Sequence, residues 1–218
     1  MKVLRISAAA VFLLWAALFI RFHSSDPIEA WVVDDAGQPL EGVAVAAHWQ
    51  SDIHTLGGRI PGSQIMILGA ATDAKGRFYL PGWGPRIYIK GSIDEKNPEM
   101  VLFKSGYSYV RLTENVNLNG ASAADKKIRM QRFSGDMDSY REHLWFLNSD
   151  LSYLMDARDC SWRRISEMVL ALKSQDEVFM RSGITDFHPI STWLEDSEKA
   201  QATRGCGSVS QFLKGNQR

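Results

Sequence analysis

The sequence carries no net charge, 25 Lys and Arg standing against 25 Asp and Glu. No basic stripe interleaved with aromatic residues appears, so a nucleic-acid surface is not expected. Only two cysteines occur, Cys160 and Cys206, and neither lies in a Cys-x-x-Cys or beside a His pair, which excludes the usual zinc spacing. A His-x-x-Glu motif is missing as well: His23, His48, His54, His143 and His188 are followed three residues on by Asp26, Ser51, Gly57, Phe146 and Ser191. Gly-x-Ser-x-Gly and Gly-x-x-x-x-Gly-Lys are both absent, which removes a serine nucleophile elbow and a phosphate-binding loop. No segment is biased enough to be disordered on composition. These absences leave no catalytic residue, metal ligand or cofactor to assign.

What is present begins with an apolar run. "ISAAAVFLLWAALFI", Ile6 to Ile20, is uncharged, with Lys2 and Arg5 before it and Arg21 after. Fifteen helical residues reach roughly 22 Å, short of a bilayer core of about 30 Å. That length suits a secretory signal. The small residues a signal peptidase needs are badly placed: Ala17 pairs with Trp15, Ser24 with Phe22, Ser25 with His23. An uncleaved anchor over residues 1–24 is therefore preferred. It would make up its length with Val3, Leu4 and Phe22 while Arg5 and Arg21 snorkel. Positive charge ahead of the run keeps the N-terminus cytoplasmic. The expected location is the inner membrane, crossed once, with the bulk of the chain periplasmic; secretion to the periplasm after cleavage is the alternative. In an oxidising space an even cysteine count favours a Cys160–Cys206 disulfide over two buried thiols.

The middle of the chain reads as β-structure. "WVVDDAGQPLEGVAVAAHW" places apolar runs on either side of Asp34-x-x-Gly37, and "ATDAKGRFYLPGW" repeats the device at Asp73-x-x-Gly76. Asp at the first position of a turn accepts hydrogen bonds from the turn's own backbone, and Gly at the fourth tolerates positive φ. A calcium loop would need further acids at alternate positions and a closing Glu, which neither copy has. Strands are expected at Ile28–Val33, Val43–Trp49, Ile65–Thr72, Phe78–Leu80, Arg86–Gly91, Met100–Phe103, Tyr107–Leu112 and Lys127–Phe133. "SDIHTLGGRIPGS" reads as a long Gly-rich loop.

At Ser134-Gly135 the period changes. Met137, Tyr140, Leu144, Leu147, Leu151 and Leu154 step by three and four, one apolar stripe on a helix. Trp162, Ile165, Val169, Leu172 and Phe179 form a second stripe that Gly183 ends. "ISTWLEDSEKAQAT" reads as a third helix stopping at Gly205, and "SVSQFLK" as a last turn. The two stripes are expected to pack on each other; coiled-coil pairing with another chain is the alternative.

"VVDDAGQPLEGVAV", "ATDAKGRFYLPG" and "FKSGYSYVRL" together resemble the carboxypeptidase regulatory-like domain, a transthyretin-like β-sandwich. The resemblance covers Ile28 to about Phe133, its third motif ending at Gly106-Tyr107. It implies an antiparallel sandwich over residues 26–134; with the N-terminal membrane helix and a helical hairpin or tail over 135–218 read from the residues themselves, the expected fold class is α+β. In that family the domain is an accessory, so the resemblance implies no reaction. A non-catalytic, membrane-anchored binding or assembly module for envelope proteins or glycans is the expected function, without nucleic acid. An enzyme with a site between sandwich and tail, around His48, His54 and His143, is the alternative. His48, His54, Trp83 and Tyr109 are the candidate groove residues. Asp34, Gly37, Asp73, Gly76, Gly106 and Tyr107 are structural turns.

Overall fold

The computed structural model describes residues 21–88, 92–95, 98–113, 126–154, 160–184 and 207–215. Within them the regular structure is mostly β, in three sheets. Strands β1 (Arg21–Ser25) and β6 (Trp83–Tyr88) form a ribbon. A three-stranded sheet holds β2 (Ile28–Val33) between β10 (Lys127–Arg129) and β5 (Arg77–Leu80). The largest sheet runs β4 (Gly58–Ala71), β3 (Ala44–Thr55), β8 (Glu99–Phe103) and β9 (Val110–Leu112), with the short β7 (Ser92–Ile93) also on β3. Helix α1 (Met137–Leu154) follows, then a 3-10 turn, Ser161–Ile165, leading into α2 (Ser166–Arg181), and finally α3 (Val209–Gly215).

Hydrophobic pattern explains how these elements stack. In β2 and β5 burial alternates: Ile28, Ala30, Val32, Phe78 and Leu80 point inward, while Glu29, Trp31, Arg77 and Tyr79 point out. One face of that sheet is therefore covered and the other open. Strand β3 does not alternate; Ala44 to Trp49 is buried throughout. Its Val45, Ala47 and Trp49 join Met100 and Leu102 against the three-stranded sheet. Its Ala44 and Ala46 join Val101 and Phe103 against Tyr140, Leu144, Leu147, Leu151, Trp162, Ile165, Val169, Leu172 and Phe179. An unbroken apolar run is what a strand covered on both faces requires. The architecture is thus sheet, sheet, helices, with β3 and β8 central. Burying a side chain such as Phe179 contributes about 1.5–3 kcal/mol, so the helical layer is part of the core.

Several expectations are corrected. Among the described residues no helix is long and apolar enough to cross a membrane. The single-pass inner-membrane anchor over residues 1–24 is not supported: Phe22, which the span would have borrowed, lies in β1 and pairs with Ile87 of β6. The apolar run Ile6–Ile20 lies outside the described residues. The purely antiparallel sandwich is also overturned, because β10 runs parallel to β2 and the strands divide among three sheets. The two helical stripes do meet, Tyr140 of α1 lying 6.0 Å from Phe179 of α2, and both also cover the sheet. The expected Gly-rich loop is a hairpin: β3 and β4 stay paired out to Thr55 and Gly58, leaving Leu56-Gly57 at the tip. Register shifts between Trp49 and Asp52 interrupt this arm. There the Ser51 hydroxyl accepts from the Ser63 amide at 2.9 Å. The disulfide is not supported as a described contact. Cys206 lies outside the described residues, as does "ISTWLEDSEKAQAT"; Cys160 is not a free thiol and takes φ 59° ahead of the 3-10 turn.

Candidate functional site: the open face of the three-stranded sheet

The two Asp-x-x-Gly segments are the same turn. In the first, the Gly37 amide donates to the Asp34 carbonyl at 3.0 Å and the Gln38 amide to Asp34 Oδ1 at 2.8 Å. In the second, the Gly76 amide donates to the Asp73 carbonyl at 2.8 Å, while the Lys75 and Arg77 amides both reach Asp73 Oδ1 at 2.9 Å. Gly37 and Gly76 have φ of 79° and 71°. The Arg77 amide, then the Lys75 amide and the Arg77 guanidinium, hold the Asp73 carboxyl below its ordinary range. Chemistry enters only through what the second turn carries. It places Asp73, Ala74, Lys75 and Arg77 at the mouth of a cleft of about 500 Å³, whose remaining wall is Glu29 and Trp31 of β2.

Strand register completes the face. Trp31 lies between Lys127 of β10 and Arg77 of β5, and Glu29 stands opposite Tyr79. Trp31 is half-buried and Tyr79 about half exposed, at 51%. Arg77 donates Nη1 to Glu29 Oε1 at 2.9 Å and Nε to Asp73 Oδ2 at 3.4 Å. A planar guanidinium bracketed by two carboxylates beside an outward indole offers a flat apolar wall with donors and acceptors along its rim. That is the complement of a ring bearing C–H on its faces and hydroxyls on its edge. Both carboxylates turn onto one cation, Glu29 through Oε1 and Asp73 through Oδ2.

The residues singled out from sequence lie elsewhere. His48 is buried on β3, opposite Ile67 and Glu99. His54 is six residues along the same strand, roughly 20 Å away, exposed and bonded to Ser92 Oγ at 3.0 Å. The two cannot face each other across a loop, because that loop is their own strand's hairpin. Trp83 is buried edge-on to Trp49, ring centroids 5.7 Å apart. Tyr109 donates to Asp150 at 3.2 Å and packs on His143 at 4.8 Å, joining β9's end of the sheet to α1. Burial, then Asp150, pushes the Tyr109 hydroxyl up to about 12, and burial lowers the His143 imidazole. Gly106 and Tyr107 form a turn, φ 79° at Gly106, that docks on Tyr140. None of these lines the cleft.

Sequence reasoning missed Trp31, Tyr79 and Arg77. Alternation was the available signal: Ile28 in, Glu29 out, Ala30 in, Trp31 out, with Arg77 and Tyr79 out around Phe78. It also missed His23, whose Nδ1 lies 2.7 Å from Glu95 Oε1. The Glu95 carbonyl takes the Trp49 indole N–H at 3.1 Å. This pair has the outline of a base and its orienting carboxylate. Its other nitrogen, Nε2, is buried without a partner, however, and is not presented to a substrate. Comparison with protein-family models, curated proteins and solved structures finds no match to this chain.

Proposed function

We propose that the protein is a non-catalytic binding module whose ligand is a glycan, taken on the open face of the three-stranded sheet. The observation that carries this reading is Trp31, standing outward beside the Arg77 guanidinium and its two carboxylates in a cleft open to solvent. Saccharides stack their C–H faces on indole and phenol rings and share hydroxyls with planar charged groups, and such sites need little rearrangement. Tryptophan fluorescence of the full chain titrated with a polysaccharide panel tests it. At least one polysaccharide should quench wild-type emission, and Trp31→Ala should abolish the response without shifting the urea midpoint. Unaltered quenching in Trp31→Ala would move the site elsewhere.

A second reading, a protein partner, is favoured by one feature. The β3–β4 arm carries Ile53 opposite Ile60, both exposed, and ends in a fully exposed Leu56. Clustered apolar side chains at the tip of a projecting arm are costly to leave in water. If a partner protein grips this tip, Leu56→Asp will release it from co-purified material while leaving glycan quenching unchanged.

A further inference from the structure

We infer that the ligand of this sheet face is an acidic glycan, a polysaccharide bearing carboxylates, and not a neutral one. The inference rests on the sheet-face reading and adds its charge. Lys75 lines the cleft, is exposed, and its ammonium has no ion pair or hydrogen bond among the described residues. Lys127 is exposed, likewise unpaired there, and lies in register with Trp31 from the opposite strand, a separation of about 4.8 Å between chains. Trp31 thus has the Lys127 position beside it on one strand and the Arg77 position on the other, with Lys75 lining the same cleft. Arg129, two residues along β10 on the same face, spends one nitrogen on the Asp35 carbonyl at 2.9 Å and keeps its charge. The carboxylates of the cleft, Glu29 and Asp73, are both engaged with Arg77. Lys75, Arg77, Lys127 and Arg129 therefore gather on or beside this face, while the carboxylates that line the cleft are Glu29 and Asp73, on a chain whose total charge is zero. A neutral glycan would use the indole and the guanidinium but give the two ammoniums nothing. A polyuronate supplies a carboxylate beside each stacked ring, and each pairing gains from partial desolvation against Trp31.

Affinity electrophoresis of the full chain decides between the possibilities. Native gels would contain polygalacturonate or hydroxyethylcellulose, with an oligo-deoxythymidylate in a third series. Wild-type protein should be retarded by polygalacturonate and much less by the neutral polymer. Lys75→Gln combined with Lys127→Gln should weaken polygalacturonate retention on the order of tenfold, erasing the preference, with added salt doing the same. Lys214→Gln, an exposed lysine on α3, should change nothing; an equal loss there would mean bulk charge and overturn the inference. Equal retention by both polysaccharides would overturn the acidic preference and leave the sheet-face reading standing. Retention by neither would remove the reading itself. Tighter retention by the oligonucleotide would also overturn the inference, reassigning the face to single-stranded nucleic acid.

Discussion

Gly76 gives its carbonyl to the Val32 amide at 2.7 Å and stands so close to β2 that a Cβ would overlap the Val32 carbonyl oxygen. Its counterpart Gly37, in the same left-handed conformation, has nothing within 4 Å of where a Cβ would lie. The repeated turn is therefore repeated in conformation and not in packing. Gly37→Ala should cost about 1 kcal/mol, the strain of the left-handed region alone. Gly76→Ala adds backbone overlap and should cost on the order of 3 kcal/mol. Urea unfolding of the two variants checks this; equal midpoints would show that the second turn is as free as the first.

Gly69 of β4 makes a similar close approach to the helical layer. A Cβ there would lie 2.7 Å from the Arg164 carbonyl oxygen and from the Ile165 Cα. Gly69→Ala must lift the 3-10 turn off the sheet, at on the order of 1–3 kcal/mol. Trp162, buried in that turn, reports the movement. Its emission should shift to longer wavelength in the folded variant, and an unshifted spectrum would deny the contact.

A pH effect follows from His143, packed against Tyr109 and Phe133 with centroids 4.8 and 5.4 Å away. Burial lowers its pKa from the ordinary 6.5. As pH falls, the unfolded chain takes up this proton before the folded one does. The contribution to stability is thus complete above the unfolded value and is lost as pH falls from about 6.5 through the folded value. His143→Leu should flatten that segment of the stability profile. Asp73 and Asp136, both held below the ordinary carboxylate range, act only at lower pH and should leave their own, separate fall intact in the variant.

Local chemistry was legible in the sequence where it is decided locally. Asp34, Gly37, Asp73 and Gly76 specify their turns with their own side chains and φ. The strand Ile28–Val33 and the buried stripes of α1 and α2 likewise follow from residue spacing. What could not be read was which surfaces meet. Val43 to Trp49 announces burial on both faces, but only the assembled sheet shows that helices cover the second one. Apolar length at Ile6–Ile20 invited a span that borrowed Phe22, whereas Phe22 pairs with Ile87, 65 residues away by subtraction. Ser51 to Gly62 looks like a loop because Gly and Pro are frequent. The pairing is kept by backbone ladder bonds and by Ser51, which no periodicity reveals. Trp31 was passed over because an aromatic residue in a strand reads as core until the parity of its neighbours is counted.

Tyr140 ties the Gly106-Tyr107 turn to the first helix, and its removal gives the last prediction. Its hydroxyl accepts the Gly106 amide at 2.9 Å and donates to the Tyr107 carbonyl at 3.3 Å. Its ring is buried against Phe133 and Phe179, centroids 4.8 and 6.0 Å away. Helix α1 is capped one turn earlier by Asp136, which accepts the Ser139 amide at 2.8 Å, so Tyr140 stands on a fixed first turn. Tyr140→Phe keeps the packing and deletes the oxygen. The Gly106 amide is then left without its partner, at about 1–3 kcal/mol. Burial raises the Tyr140 pKa to about 12, the two backbone bonds opposing it. A raised folded value means stability that is present below the unfolded pKa near 10 and lost as pH rises toward 12. The wild type should therefore lose stability across that alkaline window, and Tyr140→Phe should lose less of it, since Tyr109, also raised to about 12, remains. A variant as stable as the wild type at neutral pH, with an unchanged alkaline limb, would show that the hydroxyl does not hold the turn to the helix.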